Sequence, residues 1–227
     1  MAPEPEGLTR SFNEAHRRAH TGDDLSRPIA LADGVFAFAL TLLVLQLTIP
    51  LGLCTASATS AAPSAQACSG LVAQALANDY RAFLGYVETF LIIAIWWVSH
   101  HRVFRFIERY DSALLWLNLC FLLTVAVAPF VVGLFLQYPD TSPALFLFSL
   151  EMAMSGFLLA AIWAYAGYRN LLSAEADPVI RKYLSTRGWA LPAFFLAGAF
   201  ISLVSPSVVQ FVWVGAFVVG FAMGRYG

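Results

Sequence analysis

Charge is what this sequence has least of. Only 12% of its 227 residues are charged, while 59% are hydrophobic. A soluble domain usually carries about 25% charged residues. A shortage of this size leaves too little polar side chain to cover a water-facing surface, which excludes an ordinary soluble domain. The composition instead favours a bundle of helices embedded in lipid.

Several other features are missing as well. Lys182 is the single Lys among thirteen basic residues, the net charge is −1, and no basic stripe is present, so no nucleic-acid partner is expected. Residues 1–28 are polar and lack the apolar region of a secretory signal peptide, so none is expected. The sequence contains neither a His-Glu-x-x-His spacing nor a Gly-x-Ser-x-Gly turn. Neither an enzyme nor a bound cofactor is therefore expected.

Long apolar stretches dominate what is there. A membrane-spanning helix needs about 20 mostly apolar residues, and the sequence predicts an all-α integral membrane protein with six such helices per chain. Residues 1–28 form an N-terminal segment and 29–224 a six-helix channel domain. Ser205-Pro206-Ser207 predicts a turn between the last two helices. The six stretches are Ile29–Pro50, Tyr80–Ser99, Ala113–Leu136, Pro143–Tyr168, Gly188–Val204 and Ser207–Met223.

The basic residues fall on one side of these helices. Arg and Lys concentrate in cytoplasmic loops, and only Arg81 lies on the opposite side. Both termini are therefore expected in the cytoplasm, and residues 51–78 form an extracytoplasmic loop rich in Ala, Ser and Thr, predicted to be mobile. Cys54 and Cys68 lie in this loop, either as a disulfide or as two free thiols.

Three acids lie inside the predicted helices, where ionisable groups are costly and usually face the bundle interior. Asp33 is near the inner end of the first helix, at the expected depth of Arg27, His100, His101 and Asn118. The sequence predicts a network between helices formed by Arg27, Asp33, His100 and Asn118, either functional or only a packing device.

The other two acids lie about two turns in from the outer side. Glu88 and Glu151 either face a vestibule or share a proton, or else reach the interface or are simply protonated.

The first helix carries an unusual face. Helical spacing places Phe38, Thr41, Leu45 and Thr48 on one side. In a symmetric oligomer such a face is able to line a narrow pore, where a hydrophobic constriction gates by dewetting. The alternative is an ordinary core face against neighbouring helices.

Three segments carry a family resemblance. Residues 27–45, from Arg27-Pro-Ile-Ala-Leu-Ala-Asp33 onward, resemble the first helix of the transmembrane protein 175 family, the endosomal and lysosomal potassium channels with bacterial members. The stretch from Trp97 through His100-His101-Arg102 to Phe104 resembles the family's second helix. Leu115-Trp-Leu-Asn118, with the later Pro129-Phe130, is similar to its third.

The resemblance implies a potassium-selective cation channel with its pore on the first helix. It further implies a homotetramer of single-repeat chains in a bacterial cell membrane, with lipid around it and K⁺ as the permeant ion. The family's gate residue falls on Phe38, its Thr layer on Thr41 and the next pore-facing turn on Leu45, while Arg27, Asp33 and His100 correspond to its inter-helix network. Leu31-Ala32 replaces the family's Phe-Ser, and Phe38 is bulkier than the usual Ile or Leu.

Three other functions stay open on the sequence. The same pore is able to pass protons, with acids or histidines tuning it. A cation-coupled secondary transporter is a second alternative, although no Gly or Pro break interrupts the middle of the first helix. A non-conducting membrane scaffold is the third.

Overall fold

The computed structural model describes residues 25–47, 54, 64–209, 211–213 and 215. These residues are almost entirely helical, with one isolated β-bridge and no sheet among them. A 3₁₀ turn at Val44–Gln46 extends the first helix. The helices are α1 (Ser26–Leu43), α2 (Ala65–Asn78), α3 (Tyr80–Arg105), α4 (Ser112–Gln137), α5 (Ser142–Tyr168) and α6 (Pro178–Val204).

Five helices of the described chain are long and apolar enough to cross a membrane, which makes the chain an integral membrane protein. They are Ser26–Gln46, Ala82–Arg105, Ser112–Gln137, Ser142–Tyr168 and Pro178–Val204. The helix breaks at Ser205 and resumes at residues 206–209, 211–213 and 215. Most of the predicted sixth span lies outside the described residues, so a count of six stays a prediction.

Two helices extend further than predicted, and in both cases basic residues expected in loops are helical. α3 continues past Ser99 to Arg105, with Arg102 and Arg105 in its last turn, where cations interact favourably with the helix dipole. α6 begins at Pro178 rather than Gly188 because the Asp177 side chain accepts a hydrogen bond from the Ile180 amide and caps it. Apolar length alone underestimates a helix whose polar end leaves the lipid.

The predicted mobile loop 51–78 contains a helix instead. α2 occupies Ala65–Asn78, and the Ser64 hydroxyl accepts a hydrogen bond from the Ala67 amide at its start. Cys68 on this helix forms a disulfide with Cys54. The alanines that suggested a loose segment are in fact the strongest helix formers.

The core is built around α4, which packs against α1 on one side and α5 on the other, while α5 also packs extensively on α6. The buried Trp213 of the last described segment contacts Phe135 and Phe148 and donates a hydrogen bond to the Ser149 hydroxyl. This segment is therefore part of the same bundle.

The connections 106–111 and 169–177 meet at one end of the bundle, which we name the basic end. An antiparallel bridge joins Ile107 and Leu172 there, with the Glu108 amide donating to the Leu171 carbonyl at 2.9 Å. These bonds pair backbone N–H and C=O groups at the two connections, where α3 leads into α4 and α5 leads into α6.

Candidate pore-lining face and its polar supports

The first spanning helix has one buried and one uncovered face. Its buried face packs mainly on α4 and consists of Pro28, Ala32, Phe36, Ala39 and Leu43. On the other face, Phe38 is 65% exposed and Leu45 is 68% exposed, with Thr41 exposed between them. These are three of the four residues predicted to line a pore, and Thr48 lies outside the described residues.

Thr41 presents an oxygen acceptor on this face. Its hydroxyl donates to the Phe38 carbonyl at 2.8 Å. A hydroxyl has one hydrogen and two lone pairs, so the exposed side of the oxygen carries only lone pairs. An acceptor of this kind, set between the bulky apolar residues Phe38 and Leu45, suits a cation rather than an anion.

The structure places Asp33 in a different set of contacts from the predicted network. Its Oδ1 atom accepts a hydrogen bond from Trp97 Nε1 at 2.9 Å and lies 3.6 Å from His101 Nε2. The structure describes no ion pair between Arg27, which is exposed, and Asp33. The expected direct contacts of Arg27 and His100 with Asp33 are not found among the described residues. Successive residues of a helix point to different sides, so His101 meets the carboxylate, while the His100 ring contacts Phe36 of α1 at 6.1 Å between ring centroids.

His100 instead lies in the bundle core. It is fully buried, and its Nε2 atom lies 2.9 Å from Asn118 Oδ1 on α4. Its ring stacks on Phe104 at 4.2 Å and on Phe121 at 5.4 Å between ring centroids. Since an amide oxygen only accepts, Nε2 donates in this arrangement. The predicted neighbours His100 and Asn118 are thus brought together, as a link between α3 and α4.

Trp97 was missed in the sequence as a support of Asp33, and His101 was expected at this depth but not as the partner of the carboxylate. Trp97 and His101 are one turn apart on α3, and their rings lie 4.6 Å apart between centroids. Residues at i and i+4 share a helix face, so this spacing was the available signal that both side chains meet the same partner, Asp33.

Asp111 forms a second polar centre, at the basic end. Its carboxylate accepts hydrogen bonds from the Leu114 amide at 2.9 Å and the Tyr165 hydroxyl at 2.7 Å, and lies 3.6 Å from Arg169 Nε. Partial burial acts to raise the pKa of Asp111, but the hydrogen bonds and the Arg169 charge outweigh it and lower the pKa below its ordinary value. Asp111 therefore stays ionised and ties the start of α4 to the end of α5.

The segment that contains the Asp33 and His100 contacts is similar to a known protein family. A model of the family described as "Endosomal/lysosomal potassium channel TMEM175" matches residues 27–129. Residues 27–129 of the chain are therefore similar to this family. The matched range contains α2 and α3, nearly all of α1 and most of α4. It therefore includes the uncovered face of α1 and, separately, Asp33, His100 and Asn118.

Two bacterial relatives extend the similarity along the chain. The "Potassium channel B446_29190" of Streptomyces collinus is 33% identical over 62% of this chain and 64% of its own length. The "Potassium channel Cha6605_3372" of Chamaesiphon minutus is 29% identical over 84% of this chain and 89% of its own length. Both relatives are named as channels rather than enzymes.

An animal relative and a solved structure complete the comparison. The rat "Endosomal/lysosomal proton channel TMEM175" is 31% identical over 45% of this chain, which spans about a fifth (21%) of that protein. A crystal structure of a "lysosomal potassium-selective channel TMEM175 homolog" from Chamaesiphon minutus has a similar fold, with a TM-score of 0.69 and 22% sequence identity. The superposition covers 88% of this chain and 96% of the chain in that structure. This likeness shows that the chain has the fold of that structure.

Proposed function

We propose that the chain is one subunit of a homotetrameric, potassium-selective channel of a bacterial cell membrane, with both termini in the cytoplasm. Its pore is lined by Phe38, Thr41, Leu45 and Thr48. The observation that carries the proposal is the uncovered face of α1. The subunit packs the other face of this helix into its core and leaves a stripe of large apolar side chains and one hydroxyl exposed.

The composition of the stripe supports a pore better than a lipid contact. Thr41 offers an oxygen acceptor one turn from Phe38. The acid of the same helix is kept off this face, because Asp33 lies five residues before Phe38, about 140° around the helix at 3.6 residues per turn. Selectivity then depends on neutral oxygen atoms, and Asp33 orients the helix through Trp97 and His101 rather than binding the ion.

Phe38 provides the hydrophobic constriction. Four copies of this ring around an axis narrow the pore and exclude water, which is the basis of gating by dewetting. The exposed Arg27 lies on the same side of α1 as Phe38, but about three turns away along the helix. Rotation of the ring is therefore the simplest route to an open pore.

The test is cation flux into proteoliposomes, under a K⁺ gradient and a matched Na⁺ gradient. Thr41→Ala removes the proposed acceptor. Thr186→Ala is the matched control, because Thr186 is also exposed with its hydroxyl bonded to the carbonyl one turn back, but lies on α6. We expect uncoupled K⁺ flux that loses preference over Na⁺ in Thr41→Ala and is unchanged in Thr186→Ala. Equal loss in both variants, or no flux from assembled tetramers, contradicts the proposal.

Proton permeation is the second candidate, because the animal relatives of this chain are named as proton channels. The same vesicles loaded with a pH-sensitive dye separate the two ions. Acidification that persists without K⁺ and depends on Thr41 or Phe38 favours a proton pathway along α1, whereas a strict requirement for K⁺ favours the potassium channel.

A further inference from the structure

A chain of oxygen atoms crosses the interface between α4 and α5, away from the uncovered face of α1. Glu151 Oε1 lies 2.9 Å from the Ser155 hydroxyl oxygen, which lies 2.7 Å from the Thr124 hydroxyl oxygen. The Thr124 oxygen in turn lies 2.7 Å from the Phe121 carbonyl oxygen. All three contacts have hydrogen-bond lengths.

Each of these three hydrogen bonds needs one hydrogen. The Phe121 carbonyl has none, so Thr124 donates to it, which leaves the Thr124 oxygen to accept from Ser155. Ser155 has then spent its only hydrogen, since a hydroxyl carries one. The third contact is a hydrogen bond only if Glu151 donates, and a carboxyl group donates only when it is protonated.

The surroundings of Glu151 agree with a neutral carboxyl. The residue is 7% exposed, and its second oxygen, Oε2, is buried without a hydrogen-bond partner among the described residues. An ionised carboxylate in this position would have an uncompensated charge, which is costly in a membrane protein interior.

The charged and titratable groups of the neighbouring helices leave that charge unpaired. Glu151 forms no ion pair with a described residue. α3 carries the half-buried acid Glu88 at a comparable depth, and no contact joins it to Glu151. α4 carries the exposed Cys120 within its span. Tyr80 and Tyr86 of α3 lie in the same outer half as Glu88. The remaining charged and titratable side chains that the structure describes on these helices lie towards the basic end: His100, His101, Arg102 and Arg105 on α3, Tyr165 and Tyr168 on α5, and Arg181, Lys182, Tyr183 and Arg187 on α6.

We propose that Glu151, Ser155 and Thr124 form a proton-binding site inside each subunit, separate from the pore-lining face, and that the bound proton completes the hydrogen-bonded link between α4 and α5. Loss of the proton has two effects at once. It removes one of the three hydrogen bonds, and it leaves an anion beside an apolar interface. The packing of α5 on α4 is therefore tighter when the proton is bound.

Infrared difference spectroscopy of the purified, lipid-reconstituted protein tests the site directly. Glu151→Gln keeps the shape and the ability to donate, but removes the carboxylic acid. We expect the wild type minus Glu151→Gln spectrum at neutral pH to contain the C=O stretch of a protonated carboxylic acid. Glu88→Gln is the matched control, and it leaves the Glu151 band in place.

Thermal unfolding in detergent provides the second readout. A native state that binds more protons than the unfolded chain loses stability as pH rises, so the wild type is expected to become less stable than Glu151→Gln on going to alkaline pH. Absence of the band at neutral pH, or a parallel alkaline fall in both proteins, overturns the proposal.

If Glu151→Gln does not fold, Ser155→Ala tests the same site. It keeps the acid but removes the oxygen that accepts from it. The proposal then requires the protonated-carboxyl band to shift from its wild-type position, and an unshifted band contradicts it.

Discussion

Trp97 Nε1 on α3 donates a 2.9 Å hydrogen bond to Asp33 Oδ1 on α1. This is the one described side-chain hydrogen bond between these two helices, and it lies within the first two turns of α1. His101 supports it from one turn away, with its Nε2 atom 3.6 Å from the same carboxylate oxygen. Together the two side chains fix the rotation of α1, and therefore the direction in which Phe38 and Thr41 point.

Replacing Trp97 by Phe tests this positioning role. The change keeps an aromatic ring against His101 but removes the donor to Asp33. Hydrogen bonds to charged groups contribute about 1.5–3 kcal/mol when buried, and the half-exposed carboxylate reduces this, so we expect a loss of about 1 kcal/mol together with altered K⁺ over Na⁺ selectivity. Unfolding in detergent and vesicle flux measure the two effects. Trp116→Phe is the control, because Trp116 is exposed on α4; equal effects in both variants contradict the assignment.

Phe38→Ala tests the constriction. Removing four rings widens the narrowest apolar part of the proposed pore, so K⁺ flux is expected to rise. Leu123→Ala, at another exposed position on α4, is expected to leave flux unchanged. If Phe38→Ala protein still assembles and shows no increase, Phe38 is not the gate.

Asp111 predicts a dependence of stability on acid pH. Its hydrogen bonds and Arg169 lower the pKa of the carboxyl group, so the folded protein binds fewer protons there than the unfolded chain. The stabilisation is complete above about pH 3.9, the ordinary value for Asp, and is lost as pH falls through the lower folded value. Thermal unfolding across this range is expected to show a shallower acid decline in Asp111→Asn, which keeps a helix-capping side chain but no longer titrates.

Gly156 lies where the neighbouring helices leave no room for a side chain. A Cβ atom at this position of α5 would lie 2.7 Å from Pro192 Cβ and 2.8 Å from a ring carbon of Trp96. Overpacking of this kind costs about 1–3 kcal/mol, so Gly156→Ala is expected to lower the unfolding free energy by that amount. Gly70→Ala on α2 has open space around it and is expected to be neutral or stabilising. The difference between the two identical substitutions isolates the contact with α3 and α6.

Much of the fold was predictable because a membrane-spanning helix is recognised from the length and the apolar composition of a stretch of sequence. The third and fourth predicted spans match α4 and α5 to within one residue at each end. The ends of α3 and α6 were not predicted, since Asp177 and the last-turn arginines extend these helices beyond the apolar stretch. α2 was missed because its Ala-rich sequence has no apolar stripe to distinguish a helix from a loop.

Of the candidate site, only the residues that share one face of a helix were predictable from the sequence. Spacing placed Phe38, Thr41 and Leu45 on one face, and the structure leaves that face uncovered. Which of His100 and His101 meets Asp33 depends on the rotation of α3 about its axis. That rotation is set by the packing of His100 on Phe121 of α4, a long-range contact that no local pattern contains.

The bridge between Ile107 and Leu172 restricts how a subunit is able to deform. Its backbone hydrogen bonds clamp the α3–α4 connection to the α5–α6 connection, so these four helices cannot splay apart at the basic end without breaking the clamp. In the part of the chain that the structure describes, α1 is outside this clamp and is joined to α3 and α4 by side chains alone. The four clamped helices thus act as a stiff frame, and the mechanical freedom of the subunit is concentrated in its first helix.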